Sequence, residues 1–453
     1  MNEKDIQKYI WTKKDDFYSL LVEPTFPTNE EPSVTSMNPS EILYQMVINR
    51  YKEYWQCVKK MEFWGCEVTL KEKDERGMRT DFLGYTPGGN RIVIVELKKS
   101  NQTARQAFTE LLAYGSFLRT LFSPSSKNDI MYLLISPMRE RIVEQAAINQ
   151  LVYDNNQVCV LEPHIDGEDL NTLKLSLWIP KKNMFEGICE AAFAPKCIDI
   201  FKVVWENLRG DWSPEGDHEC PDEYMKHRMI KVAQAAAQMM ESCGLHGFVY
   251  TSQMRSEALG SGCLGNSIVI GAINPYKVTK TKFYYDNHGG EWEECADADF
   301  GGVGMMDLIP TLKGHAKDLH DRDNYLEFLA ESWGEDMTKI AFYVVETMTK
   351  TLSGRKVEID KGCFDWRNLF ESGDEDYSVP FDFHFTGILR DLFFKYTEID
   401  YEYLSTCNED EREYFLAEYH VPEELVDMVF SPKSAKLFLK RLYNPLIVGP
   451  DDI

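Results

Sequence analysis

None of the 11 cysteines belongs to a C-x-x-C pair; they stand singly along 453 residues. That spacing gives neither the paired ligands of a structural zinc site nor the framework of a disulfide-stapled secreted domain, and it fits reduced thiols. No apolar run approaches the roughly 20 residues of a membrane-spanning helix. The opening "MNEKDIQKYIWTKKDD" has no apolar core of a secretory signal. The expectation is a cytoplasmic protein with no membrane partner. Repeats, low-complexity tracts and a phosphate-binding glycine loop are also missing. Positive charge is scarce, with 49 Lys+Arg against 74 Asp+Glu and a formal net charge of −25. Taken over the whole chain, that balance argues against a polyanionic partner.

The deficit is uneven. Residues 1–190 hold 23 basic and 27 acidic side chains, whereas the remaining 263 residues hold 26 and 47. The first part is close to neutral and can approach a polyanion; the second would repel one. With 43% hydrophobic residues the chain can bury a sizeable core, and its length suits two or three domains.

Four spans follow from the patterning: an extension over 1–37, a first domain over 38–185, an α+β domain over 200–355 and a helical region over 356–453. In the first domain Ser40 is placed to cap a helix with apolar spacing at Ile42, Met46, Tyr51 and Trp55. Strands are expected near 64–71, 79–86 and 91–98, the last two joined by a turn at "TPGGN". A helix over 102–121 comes next, then "DIMYLLIS" as a strand, "RERIVEQAAINQLV" as a helix, "QVCVLEP" as a strand and "TLKLSLWIP" as a sheet edge. The order α-β-β-β-α-β-α-β argues a mixed α/β fold, a sheet flanked by helices. Further on, "NLRGDWSPEGDHECPDEY" reads as a linker, "GFVYTS", "NSIVIGAI" and "TKFYYD" as strands, and the stretch from about 318 onward as mostly helical.

The chemistry concentrates at "RIVIVELKKS" (91–100). Alternation along a strand puts Glu96 and Lys98 on one face. If the preceding strand folds back antiparallel, Asp81 comes near Glu96. Two neighbouring carboxylates repel each other and lose hydration unless a cation neutralises them. Oxygen ligands alone, including the Leu97 carbonyl between the charged pair, select a hard ion: Mg²⁺, with Mn²⁺ as a substitute. Such an ion can activate water against a phosphodiester, with Lys98 orienting the nucleophile or meeting the developing charge.

An acid on one strand followed by Glu-x-Lys on the next, in this element order, resembles the PD-(D/E)XK (restriction-endonuclease-like) nuclease superfamily. Asp81, Glu96 and Lys98 match its signature, although Thr80 stands where a proline often does. RecB-type and archaeal-nuclease-like members place a Gln on the next helix with a Tyr four residues on. Here Glu110 and Tyr114 hold that spacing, and Gln106 lies one turn earlier. The resemblance covers roughly the first 40% of the chain. It implies a restriction-endonuclease-like core, a Mg²⁺-dependent endonuclease and a nucleic-acid substrate, DNA ahead of RNA. It further implies Asp81, Glu96 and the Leu97 carbonyl as ligands and Lys98 as the catalytic residue that assists the attacking water or stabilises the developing charge, with Glu110, Tyr114 and Gln106 in support.

The remaining half is expected to be a sensing or regulatory module that binds a protein partner or self-associates through its acidic surface, in host defence or restriction. Two alternatives stay open. The first domain can serve as a catalytically inactive scaffold for binding or assembly. Separately, Tyr250, Ser252, Gly265 and Asn266 bear a likeness to toxin domains of the RES type, which consume nicotinamide dinucleotide.

Overall fold

The computed structural model describes residues 2–27, 38–70, 77–87, 91–99, 101–122, 125–205, 223–254, 265–290, 292–297, 302–310, 325–349, 357–362, 364, 378–418 and 432–443. The end of the expected "TPGGN" turn, nearly all of the expected linker 207–224 and the segment before Gly265 lie outside them. The chain forms two compact units, one of residues 1–30 and 43–184, the other of residues 31–42 and 185–453.

The first unit is mixed α/β. Its elements in chain order are α1 (Glu3–Thr12), β1 (Leu21–Val22), α2 (Pro39–Lys59), β2 (Glu62–Leu70), β3 (Met78–Thr86), β4 (Arg91–Leu97), α3 (Asn101–Leu121), β5 (Ile130–Ile135), α4 (Arg141–Ile148), β6 (Gln157–His164) and β7 (Lys174–Leu177). Seven strands make one sheet in the order β1-β7-β6-β5-β4-β3-β2. β4, β5 and β6 run parallel and are joined through helices, as parallel neighbours must be. β2, β3 and β4 form an antiparallel meander. The middle strands carry the most continuous apolar runs: every residue of "IMYLLI" in β5 is buried, and so is β4 from Val93 to Leu97.

Three expectations change at this level. The first helix is capped by Asn38, not Ser40: the Asn38 Oδ1 accepts from the Ser40 N–H at 2.9 Å and the Glu41 N–H at 3.2 Å. Pro39 then takes the first helical position, where its missing N–H costs nothing. The strand around 174–177 is not an edge, because β1 pairs parallel with its outer side. Residues 2–27 are not a mere extension, since α1 and β1 belong to this unit.

Helix α3 lies against the sheet through one close approach. A Cβ built on Gly115 would stand 2.1 Å from the Tyr132 hydroxyl and 2.7 Å from its ring. Tyr132 is itself 1% exposed and has no room to retreat. Gly115→Ala is therefore expected to lower stability by about 1–2 kcal/mol, overpacking outweighing the gain in helix propensity. Chemical denaturation of the variant measures this.

In the second unit five strands, β8 (Ile198–Trp205), β9 (Gly247–Met254), β10 (Asn266–Ile273), β11 (Ile359–Gly362) and β12 (Ser378–Thr386), form an antiparallel sheet in the order β11-β8-β10-β9-β12. Val203, Trp205, Val249, Ile268 and Ile270 pack against Met229, Val232, Ala236 and Met240 of the helix Glu223–Ser242. Met337, Ala341 and Val344 of the helix Leu326–Met348 complete this core. β8, β11 and β12 were not apparent in the sequence, and with β11 and β12 the region after 356 is not helical alone. "TKFYYD", expected as a strand, is helical within Pro275–His288. Asn274 caps that helix and Pro275 opens it, which overrides the strand preference of its aromatic letters. Phe385, Phe393 and Phe438 pack ring on ring, with centroids 4.5–5.4 Å apart. Beside them the buried Arg441 pairs with Asp400 at 2.7 Å.

Candidate active site

The strand ladder between β3 and β4 runs from Thr86–Arg91 to Phe82–Val95 and then gives out. Side chains take over the backbone groups left at the fork. The Thr80 hydroxyl donates to the Val95 carbonyl at 3.1 Å, and the Leu97 N–H donates to Asp81 Oδ2 at 2.8 Å. On the other side of β4 the Lys98 N–H donates to the Ile135 carbonyl at 2.8 Å, holding the strand end against β5. The register that pairs Phe82 with Val95 sets Asp81 opposite Glu96, on the face that also carries Lys98.

Glu96 and Lys98 are 4% and 8% exposed, which is rare for charged side chains and tolerable only when they are paired. Lys98 Nζ lies 2.6 Å from Glu96 Oε1 and 2.6 Å from Glu110 Oε2. Among the described residues Glu96 and Glu110 thus share one ammonium, and Asp81 is a third carboxyl within its electrostatic reach. Burial pushes the Glu96 carboxyl up to about 8, with the Asp81 charge adding to it and Lys98 opposing. Burial likewise raises the Asp81 carboxyl, against the pull of the Leu97 N–H and Lys98. Burial alone would lower Lys98, but its hydrogen bonds to Glu110 and Glu96 outweigh it and keep the ammonium protonated. Tyr114, 7% exposed, has its phenol pushed up to about 12 by burial and by Glu96 and Glu110.

A divalent cation fits this arrangement. Among the described residues Glu96 Oε2 is buried without a hydrogen-bond partner, and the Asp81 charge lies beside it. The donors are all hard oxygens. Among the described residues no three Asp, Glu, His or Cys side chains gather as an ion-holding group. The oxygen donors gathered on this face are the carboxyls of Asp81 and Glu96.

The sequence-derived residues meet unequally. Asp81, Glu96, Lys98, Glu110 and Tyr114 converge. Gln106 is exposed on α3, outside the cluster. Two participants were not found from the sequence. Gln7 of α1 donates from Nε2 to Asp81 Oδ1 at 2.7 Å. Glu3 Oε2 accepts from the Lys99 N–H at 3.1 Å. The buried stripe Ile6, Gln7, Ile10 was the available signal, since a glutamine among core positions requires a polar partner.

In the second unit Tyr250, Ser252 and Asn266 are buried in β9 and β10. Tyr250 stacks on Phe383 at 4.1 Å, and the Ser252 and Ser267 hydroxyls bond at 2.7 Å. Those contacts account for Tyr250 and Ser252 as sheet packing. Comparison of the chain with protein-family models, with curated proteins and with solved structures gives no match.

Proposed function

We propose that the first unit is a metal-dependent nuclease of the restriction-endonuclease-like type, which hydrolyses phosphodiester bonds of nucleic acid, DNA ahead of RNA. The observation that carries this reading is the buried cluster at the end of β4. Among the described residues Glu96 and Glu110 share the Lys98 ammonium there, Asp81 adds a third carboxyl beside Glu96, and Glu96 Oε2 has no hydrogen-bond partner. A purely structural ion pair would be charge-balanced and satisfied, since an unbalanced one costs stability.

Asp81, Glu96 and the Leu97 carbonyl would hold Mg²⁺ or Mn²⁺, which when bound supplies an acidified water and offsets phosphate charge. Lys98 keeps its proton between Glu96 and Glu110 and donates a hydrogen bond where charge develops on the phosphate oxygens. Glu110 fixes the direction of the Lys98 side chain. Tyr114, protonated at any physiological pH, braces the same side. The acidic second unit is assigned to regulation or partner binding on its charge, within a defence or restriction role.

The test incubates wild type and Glu96→Ala/Lys98→Ala with plasmid, single-stranded DNA and RNA, in Mg²⁺, Mn²⁺ or EDTA. Cutting that needs metal and disappears in the double variant supports the reading and identifies the polymer. Cutting that persists in EDTA or in the variant overturns it. No cutting, together with no metal-induced rise in melting temperature, leaves the unit a binding scaffold.

A further inference from the structure

We infer that Gln7, on the N-terminal helix, is a positioning residue for the carboxylate that binds the metal. The inference rests on the nuclease reading and adds α1 to its machinery. Both oxygens of Asp81 have donors: the Gln7 side-chain amide holds Oδ1 at 2.7 Å and the Leu97 N–H holds Oδ2 at 2.8 Å. One donor alone would leave the carboxylate free to swing about it. Two donors from different elements fix its plane, each oxygen keeping a lone pair for a further bond. Mg²⁺ tolerates little departure from octahedral geometry, so a ligand held in one orientation binds it better than a mobile one.

The seating of α1 does not depend on this hydrogen bond. Ile6 and Ile10 are 2% and 0% exposed. Trp11 stacks on Phe82, the residue after Asp81, at 6.4 Å and meets Phe63 edge-on at 6.3 Å. The helix is anchored by apolar contacts, and Glu3 adds a second tie at Lys99. Gln7, 5% exposed, is therefore a polar group inside an otherwise apolar seat, directed at a ligand. The choice of a neutral amide also matters. A cation there would compete with the metal for Asp81, and an acid would repel Asp81.

Residues that orient a metal ligand without touching the metal typically contribute 10- to 100-fold to its affinity. Gln7→Met keeps the length and apolar packing of the side chain and removes the donor. In the full-length protein, the concentration of Mn²⁺ giving half of the maximal rise in melting temperature should increase at least about tenfold. Lost cleavage should return at high Mn²⁺, marking a change in metal affinity and not in the chemical step. Gln7→Asn, which keeps an amide one methylene short, is read the same way should the first variant fold poorly. A wild type that responds to Mn²⁺ alongside variants that respond at the same concentration overturns this inference alone. A wild type without any response overturns the metal reading, and this inference with it.

Discussion

Glu96→Ala and Lys98→Ala should each lower metal-dependent cleavage by about 10³-fold or more, while moving the metal-free protein in opposite directions. The kinetic loss follows from the cluster. Without Glu96 the cation keeps one carboxylate, and without Lys98 no ammonium meets the developing charge. A single lost electrostatic donor already costs about 10²–10³ in rate. The stability changes differ because the two side chains sit on opposite sides of the charge balance. Removing Glu96 takes out the carboxyl that burial and Asp81 disfavour most. The remaining Asp81, Glu110 and Lys98 are closer to neutral, and the melting temperature without metal should rise. Removing Lys98 leaves Glu96 and Glu110 facing the space where Nζ lay, 2.6 Å from each. The buried Glu96 then loses its ammonium partner, and the melting temperature should fall. Kinetics of both variants beside their melting curves in EDTA check this pattern. Wild-type cleavage by either variant would remove the residue from the mechanism. Equal and same-signed stability changes would mean that the cluster is charge-balanced after all.

The legible part of this site was the part governed by local rules. Strand alternation put Glu96 and Lys98 on one face, and antiparallel register brought Asp81 opposite them. Helical spacing aligned Glu110 with Tyr114. Gln106 obeyed the same spacing yet is exposed, because the buried face of α3 at that point runs through Ala107 and Phe108. Gln7 was hidden because its partner lies 74 residues away, and no periodicity couples a helix to a strand at that distance. β1 escaped for a related reason: two residues make a strand only when β7 is already there to pair with. In the second unit "TKFYYD" was misread since β-propensity reports packing on a pleated surface, not backbone preference, and the Asn274–Pro275 helix start decided the outcome. The fold at large depends on such non-local pairings, whereas the candidate chemistry sits on one hairpin and one helix.

The metal-free protein should lose stability as pH rises from about 4.5 to about 8, and a divalent cation should reverse the trend. Glu96 is the reason. Its carboxyl titrates near 4.5 in an unfolded chain and is pushed up to about 8 in the fold, chiefly by burial and next by Asp81. Below the lower value both states hold the proton and Glu96 costs nothing. Between the two, the unfolded chain releases the proton and the folded protein retains it. Folding therefore becomes less favourable with every step in pH until the folded carboxyl also ionises. At about 1.4 kcal/mol per pH step, the loss is on the order of 4 kcal/mol by pH 8. Asp81, also raised by burial, adds to it with the same sign. Lys98 and Tyr114 do not enter this window, because both titrate above it. A cation coordinated by Glu96 favours the ionised form, so metal binding should release protons and tighten as pH rises toward 8. Melting curves at pH 5, 6.5 and 8, in EDTA and in Mn²⁺, test both halves of the argument. Glu96→Gln, which keeps the shape and cannot ionise, should flatten the EDTA series and abolish the Mn²⁺ response. An EDTA series already flat in the wild type would mean that Glu96 is ionised in the folded protein with its charge balanced by Lys98, and the case for a divalent ion would lose its main physical support.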